Sequence, residues 1–139
     1  MSRTSAPRPT DGELSILRIL WERGPSTVRQ VHELLAQERP AAVYTTALKL
    51  LQIMAEKGLV DRDERDRTHI YRARLSEETT QRQLLRDLLD RAFGGSAEKL
   101  VMQALATKRA SAEELKSIRQ AIDDARHEKE VRRDDDARD

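Results

Sequence analysis

Apolar residues recur at helical spacing through nearly all of this chain, and one stretch, residues 59–75, departs from that period. Most helical runs also carry start or stop signals, so the order of elements can be read directly. Thr10-Asp-Gly-Glu13 matches a capping box, in which the hydroxyl and the carboxylate serve the first free N–H groups. Leu14, Leu17, Leu20 and Trp21 follow at helical spacing until Gly24-Pro25 stops the run. Ser26 is expected to cap a second helix over Ser26–Glu38 with an inner face of Val28, Val31, Leu34 and Leu35, ending ahead of Pro40. A third helix is expected from about Ala42 to Lys57, with Gly58 where a left-handed stop is wanted.

Beyond Gly58, Leu59–Arg62 and His69–Leu75 flank the polar stretch Asp63–Thr68, and two short strands joined by a charged loop fit. Ile70 and Tyr71 supply the β propensity. Three helices and a hairpin predict a winged helix-turn-helix domain over residues 10–75. The expected fold class is mainly α with a small β-wing. The helical period then returns. Leu84, Leu85, Leu88, Leu89, Ala92 and Phe93 form a stripe on a fourth helix, broken by Gly94-Gly95. Ser96 caps a short fifth helix with Leu100, Val101, Ala104 and Leu105. Ser111-Ala-Glu-Glu114 opens a sixth carrying Leu115, Ile118, Ile122 and Ala125. These seams are too thin to close a core alone, so residues 76–129 are read as a dimerisation region whose stripes a second copy covers. The arm 1–9, with Arg3 and Arg8, and the charged tail 130–139 are expected to be flexible, the tail disordered.

Composition decides between this reading and disorder. Charged residues make up 37% and aromatics 3%, which is sparse for a packed chain. The net charge of +1, five Gly and four Pro nevertheless favour helices with narrow apolar seams. Thirteen Lys and Arg face ten Asp and Glu in residues 1–75, a net +3, while residues 76–139 carry a net −2. The absence of cysteine excludes disulfides, thiolate metal sites and a cysteine nucleophile. No apolar run is long enough to span a bilayer, and the first residues lack a signal-peptide core, so a cytoplasmic location is expected. His32, His69 and His127 are isolated, and no nucleophile–base pair or phosphate loop is present, so neither metal, cofactor nor enzymatic activity is expected.

In a helix-turn-helix the second helix of the pair enters the major groove. A wheel of the third helix puts Tyr44, Ala47, Leu48, Leu51, Met54 and Ala55 on an apolar arc and Thr45, Lys49, Gln52 and Glu56 opposite, with Thr46 beside them. Thr45 and Thr46 present hydroxyls and methyl groups to base edges, and Lys49 suits a phosphate or a guanine edge. Tyr44 heads the same stretch and joins the candidate interface, although its arc favours a core role, as for Trp21. Ser26, Thr27 and Arg29 combine N–H groups, hydroxyls and a cation for a phosphate. Arg65, Arg67 and His69 would bring positive charge from the wing, with Asp61, Asp63, Glu64 and Asp66 close enough to absorb it. The expected partners are double-stranded operator DNA and a second copy of the chain. The alternative is a protein–protein adaptor built on the same scaffold, which the near-neutral charge would favour.

Leu14-Ser-Ile-Leu-Arg-Ile-Leu-Trp21, Thr27-Val-Arg-Gln-Val-His-Glu-Leu-Leu35, Tyr44-Thr-Thr-Ala-Leu-Lys49 and Glu56-Lys-Gly-Leu-Val60 together resemble the BlaI/MecI (penicillinase repressor) family over about residues 10–125. The resemblance implies a homodimeric repressor with N-terminal winged helices, binding palindromic operators with TACA/TGTA half-sites. Sensor-linked members are cleaved at an Asn-Phe bond where this chain reads Gln103-Ala104, a departure that leaves open whether a sensor protease acts here. Copper-responsive relatives carry a Cys-x-Cys motif, and this chain has none.

Overall fold

A computed structural model describes residues 8–138; the expected arm through residue 7, including Arg3, lies outside the described residues, as does Asp139. The order is α1 (Asp11–Arg23), α2 (Val28–Glu38), α3 (Tyr44–Lys57), β1 (Val60–Asp63), β2 (Ile70–Ala73), α4 (Glu77–Ala92), α5 (Ala97–Thr107) and α6 (Ala112–Arg138). Helices dominate and one antiparallel hairpin forms the wing, as the change of period predicts. Val60 pairs with Ala73, Asp61 with Arg72, Arg62 with Tyr71 and Asp63 with Ile70.

The described residues fall into two compact units, divided between Leu88 and Leu89, inside α4 rather than after Leu75. In the first, α1 to α3 and the wing enclose one core of Ile16, Leu17, Ile19, Leu20, Val28, Val31, Leu35, Ala47, Leu51, Met54, Leu59, Val60 and Tyr71. Each large aliphatic side chain fully buried there stabilises by about 1.5–3 kcal/mol relative to exposure. The buried arc of α1 differs from the expected Leu14–Leu17–Leu20–Trp21 seam. Ile16 and Ile19 are buried, and Leu14 and Trp21 only partly so, because α1 packs at once on α2, α3 and β2. Trp21 instead donates its indole N–H to the Leu75 carbonyl at 3.0 Å, tying the end of α1 to the chain just past the wing.

Hydroxyl caps set the starts of five of the six described helices, α3 being the exception. Thr10 and Glu13 form the expected capping box of α1. The cap of α2 is Thr27, with Gln30 completing a second box, and not Ser26. Ser26 is instead wholly buried: its N–H donates to the Tyr71 carbonyl at 2.9 Å and its carbonyl accepts from the Tyr71 N–H at 2.8 Å. Its hydroxyl donates to the Gly24 carbonyl at 2.8 Å. The turn imposed by Gly24-Pro25 lays Ser26 beside Tyr71 of β2 in a single antiparallel bridge, which moves the helix start one residue on. The third helix starts two residues later than expected, because Ala42 closes a turn onto the Arg39 carbonyl. Gly58 ends it in the left-handed conformation at φ 83°. An added Cβ there would sit 2.9 Å from Arg74 Nη1.

Burial of Thr80 and an ion pair from Arg8 to Asp87 at 3.2 Å place the first part of α4 with the first unit. In the second unit, Gln103 and Ala104 lie within α5. The tail expected to be disordered from Glu130 is helical through Arg138. No Gly or Pro follows Gly95, and Glu128 stands four residues before Arg132, a favourable helical spacing. Among the described residues no helix is long and apolar enough to cross a membrane.

Candidate nucleic-acid interface

The turn between α2 and α3 sets where α3 points. His32 Nε2 donates to the Ala42 carbonyl at 3.2 Å, and the His32 ring meets Tyr44 edge-on, centroids 6.1 Å apart at 77°. The Val43 carbonyl accepts from the Thr46 N–H at 3.0 Å and the Ala47 N–H at 3.2 Å, which starts the helix. Ala47, Leu51 and Met54 are buried against the core, and that fixes the rotation of α3 about its axis. The opposite face is therefore turned outward: Thr45, Thr46, Lys49, Gln52 and Glu56 are all exposed. No hydrogen bond or ion pair among the described residues engages the side chains of Thr45, Thr46, Lys49 or Gln52.

Beside this face the start of α2, the flank of α3 and the wing enclose an open groove of about 560 Å³. It brings together five residues expected from the sequence, Thr27, Arg29, Tyr44, Arg67 and His69. Arg62, Thr68 and Gln52 line it too and are not among the candidates expected from sequence. Gln52 was legible on the helical wheel. Arg62 was not, because nothing in the sequence separates it from the other wing arginines; the strand register places it opposite buried Tyr71. The Tyr71 hydroxyl, and then Glu64, raise the Arg62 pKa and hold its guanidinium charged.

The acidic residues of the wing take up much of its positive charge. Arg65 lies across Asp63, with Nη2 at 2.8 Å from Oδ2 and Nε at 3.1 Å from Oδ1. Those bonds pull the Asp63 carboxyl down to about 2 and raise the Arg65 pKa. Arg62 pairs with Glu64, and Arg74 Nη2 with Asp61 Oδ1 at 2.6 Å. Arg29 is held only loosely, 3.6 Å from Glu33. Arg67 and Lys49 have no ion pair among the described residues. On the helices and the groove wall the cations left to meet an anion are Arg29, Lys49 and Arg67, with His69 exposed beside them; Arg72 of β2 is also exposed and in no ion pair among the described residues.

Two expectations need correction. Ser26 offers neither its hydroxyl nor its N–H to a phosphate, since both are engaged and the residue is fully buried. Tyr44, expected on the apolar arc, is 46% exposed at the rim of the groove. The core aromatic is Tyr71, 1% exposed, because β2 runs across the back of α1 and turns that residue inward. One feature the sequence did not disclose is the exposure of Val43 immediately ahead of α3, at 56%.

A family model described as "Penicillinase repressor" matches residues 9–124. The chain is 34% identical over 113 residues to the transcriptional regulator BlaI of Mycobacterium tuberculosis, spanning 81% of this chain and 80% of that protein. It is 21% identical over 126 residues to the penicillinase repressor of Bacillus licheniformis, spanning 88% and 95%. A solution structure of the DNA binding domain of the repressor BlaI superposes with a TM-score of 0.47 at 19% identity, covering 54% of this chain and 90% of that one. A family model spanning most of the chain, with a relative one-third identical over four-fifths of it, establishes that the chain belongs to the penicillinase repressor family.

Proposed function

We propose that this protein is a homodimeric transcriptional repressor that binds a palindromic operator with TACA/TGTA-like half-sites and occludes the promoter. The observation that carries this reading is the outward face of α3, where Thr45, Thr46, Lys49 and Gln52 stand exposed and unengaged beside a groove holding Arg29, Arg67 and His69. Helix α3 of each subunit enters the major groove, the only groove that distinguishes all four base pairs, and the two copies sit roughly 34–36 Å apart. Thr27, Arg29 and Arg67 grip phosphates on either side; they position α3 without reading sequence.

Dimerisation follows from what the second unit lacks. Among the described residues none after Thr80 is buried. Val101, Leu105, Leu115 and Ile122 are exposed, as are Leu85 and Leu88 further back on α4. Leu84, Leu89, Phe93, Leu100 and Ile118 are only partly covered. Helices with apolar faces and no core of their own are stabilised by a second copy, and a two-fold dimer also matches a palindromic site. The test is selection of bound sequences from a random DNA pool, followed by a shift assay on the selected palindrome beside scrambled DNA at moderate salt. A palindromic site and a clear preference support the reading. Equal binding to both DNAs overturns it and favours the adaptor.

A further inference from the structure

The start of α3 breaks a rule that the rest of this chain obeys. The hydroxyls of Thr10, Thr27, Ser76, Ser96 and Ser111 each accept a backbone N–H at the start of α1, α2, α4, α5 and α6. Helix α3 alone among the described helices opens on an aliphatic residue, Val43, with no side-chain bond to its first turn. Valine is among the poorest residues at such a position, where Ser, Thr, Asp or Asn is favoured. Packing does not compensate, for Val43 is 56% exposed and takes no part in the core cluster. Its neighbours in the chain and on the first turn are Tyr44, Thr45 and Thr46, all exposed.

An apolar side chain held in water at the tip of a helix with a polar outer face has an obvious complement in DNA. The only apolar group on the base edges of the major groove is the C5-methyl of thymine. We infer that Val43 is a specificity residue of the DNA interface: its two methyl groups pack against the methyl of one thymine in each half-site, and this contact, not helix capping, is the role of an aliphatic residue there. The inference rests on the reading of α3 as the groove helix. The contact complements the polar face, since Thr45, Thr46, Lys49 and Gln52 have hydrogen-bonding or charged groups and recognise acceptors and donors. It also explains why a hydroxyl would be the worse choice at this one start, stabilising the helix and removing the apolar contact.

The test uses the full chain and the site selected from the random pool, with each thymine of one half-site replaced in turn by deoxyuridine. That change removes the methyl group and leaves every hydrogen-bonding atom in place. For the parent protein, one thymine per half-site should lose about three- to five-fold in affinity on replacement, the effect of one buried methyl group. Val43→Ser should bind the thymine site more weakly by a similar factor, should bind thymine and uracil sites alike, and should melt no lower than the parent because it gains a cap. Val43→Ala, which removes the methyl groups without adding a hydroxyl, should show the same indifference to uracil. Equal binding of thymine and uracil sites by the parent at every position overturns the inference, as does a thymine preference that survives in both variants. In either result the operator itself is still bound, which leaves the repressor reading standing. A pool that yields no preferred site overturns both.

Discussion

Glu13 joins the two ends of the DNA-binding unit, and its removal should be felt well beyond α1. The carboxylate is 2% exposed. Its Oε1 accepts the Thr10 N–H at 2.9 Å and the Lys57 ammonium at 2.6 Å, linking the first turn of α1 to the last turn of α3. Burial works to raise the Glu13 pKa, but the bonds from Lys57 and Thr10 outweigh it and hold the carboxyl below 4.5. The charged form is thus favoured in the folded chain. Its contribution to stability is complete above pH 4.5 and is lost as pH falls through the depressed folded value.

Two substitutions separate the cap from the charge. Glu13→Gln keeps an acceptor for Thr10 and the capping box, and weakens only the bond to Lys57; the loss should be about 1–2 kcal/mol at pH 7. Glu13→Ala removes both bonds, for about 3 kcal/mol, below the largest values for broken buried pairs because the Lys57 side chain keeps 30% exposure and can turn to water. Urea denaturation at fixed protein concentration measures both, since a dimer of the proposed kind makes the midpoint concentration-dependent. The gap between parent and Glu13→Gln should be constant from pH 7 to about pH 5 and then narrow as the parent carboxyl protonates. A gap that does not change with pH, or no loss in Glu13→Gln beside a clear loss in Glu13→Ala, would show that the pair with Lys57 contributes nothing beyond the cap.

Other outcomes are expected at the interface and the dimer arm. Asp63→Asn should release Arg65 from its ion pair, raising DNA affinity at low salt and steepening the plot of log K against log salt by about one unit per subunit; fluorescence anisotropy across a salt series checks this. Arg67→Ala should weaken all sequences alike and flatten the same plot, whereas Thr46→Ala should relax sequence preference in a renewed pool selection with an unchanged melting curve. Ile122→Asp, which places a charge on the exposed seam of α6, should shift sedimentation from a dimer to a species of about 16 kDa at micromolar concentration. Gly58→Ala should destabilise by at least ~1 kcal/mol in thermal melts, because φ 83° strains any side chain and Arg74 must also move.

What was legible in the sequence follows from where the information is local. Helix starts and stops are written in adjacent residues, so Thr10–Glu13, Gly24-Pro25 and Gly58 mark them directly. The misplaced start of α2 shows the limit. Ser26 and Thr27 are equally good caps, and the choice falls to Tyr71, forty-five residues away, whose backbone engages Ser26. The same dependence hides the inward turn of Tyr71, the groove position of Arg62 and the outward turn of Tyr44. The outer face of α3 was legible because a helix buried on one side settles the other by period alone. The exposure of Val43 was not, since it precedes the helix and no period applies to it. The helical tail is hidden for the converse reason: its composition suits a solvated coil, but it continues a helix already nucleated at Ala112, and adding residues of good helix propensity to a formed helix costs little.

The near-neutral charge of the chain, the feature that favours the adaptor alternative, has a structural counterpart in the wing. Asp61, Asp63 and Glu64 each hold an arginine of the hairpin or the segment after it, so most of the positive charge there is already neutralised. What remains for DNA is a short set on the helices and the groove wall, Arg29, Lys49 and Arg67, with Arg72 of β2 beside them outside any ion pair. In the proposed dimer, Arg29 and Arg67 of each subunit give four phosphate contacts and a salt slope of about −4 by counterion release, and about −5 where Lys49 also meets a phosphate. Such a protein would grip non-specific DNA only modestly and depend on the face of α3 for its selectivity. Neutralising the wing from within therefore works in favour of specificity: it lowers the affinity for every sequence equally and leaves intact the contacts that differ between one sequence and another.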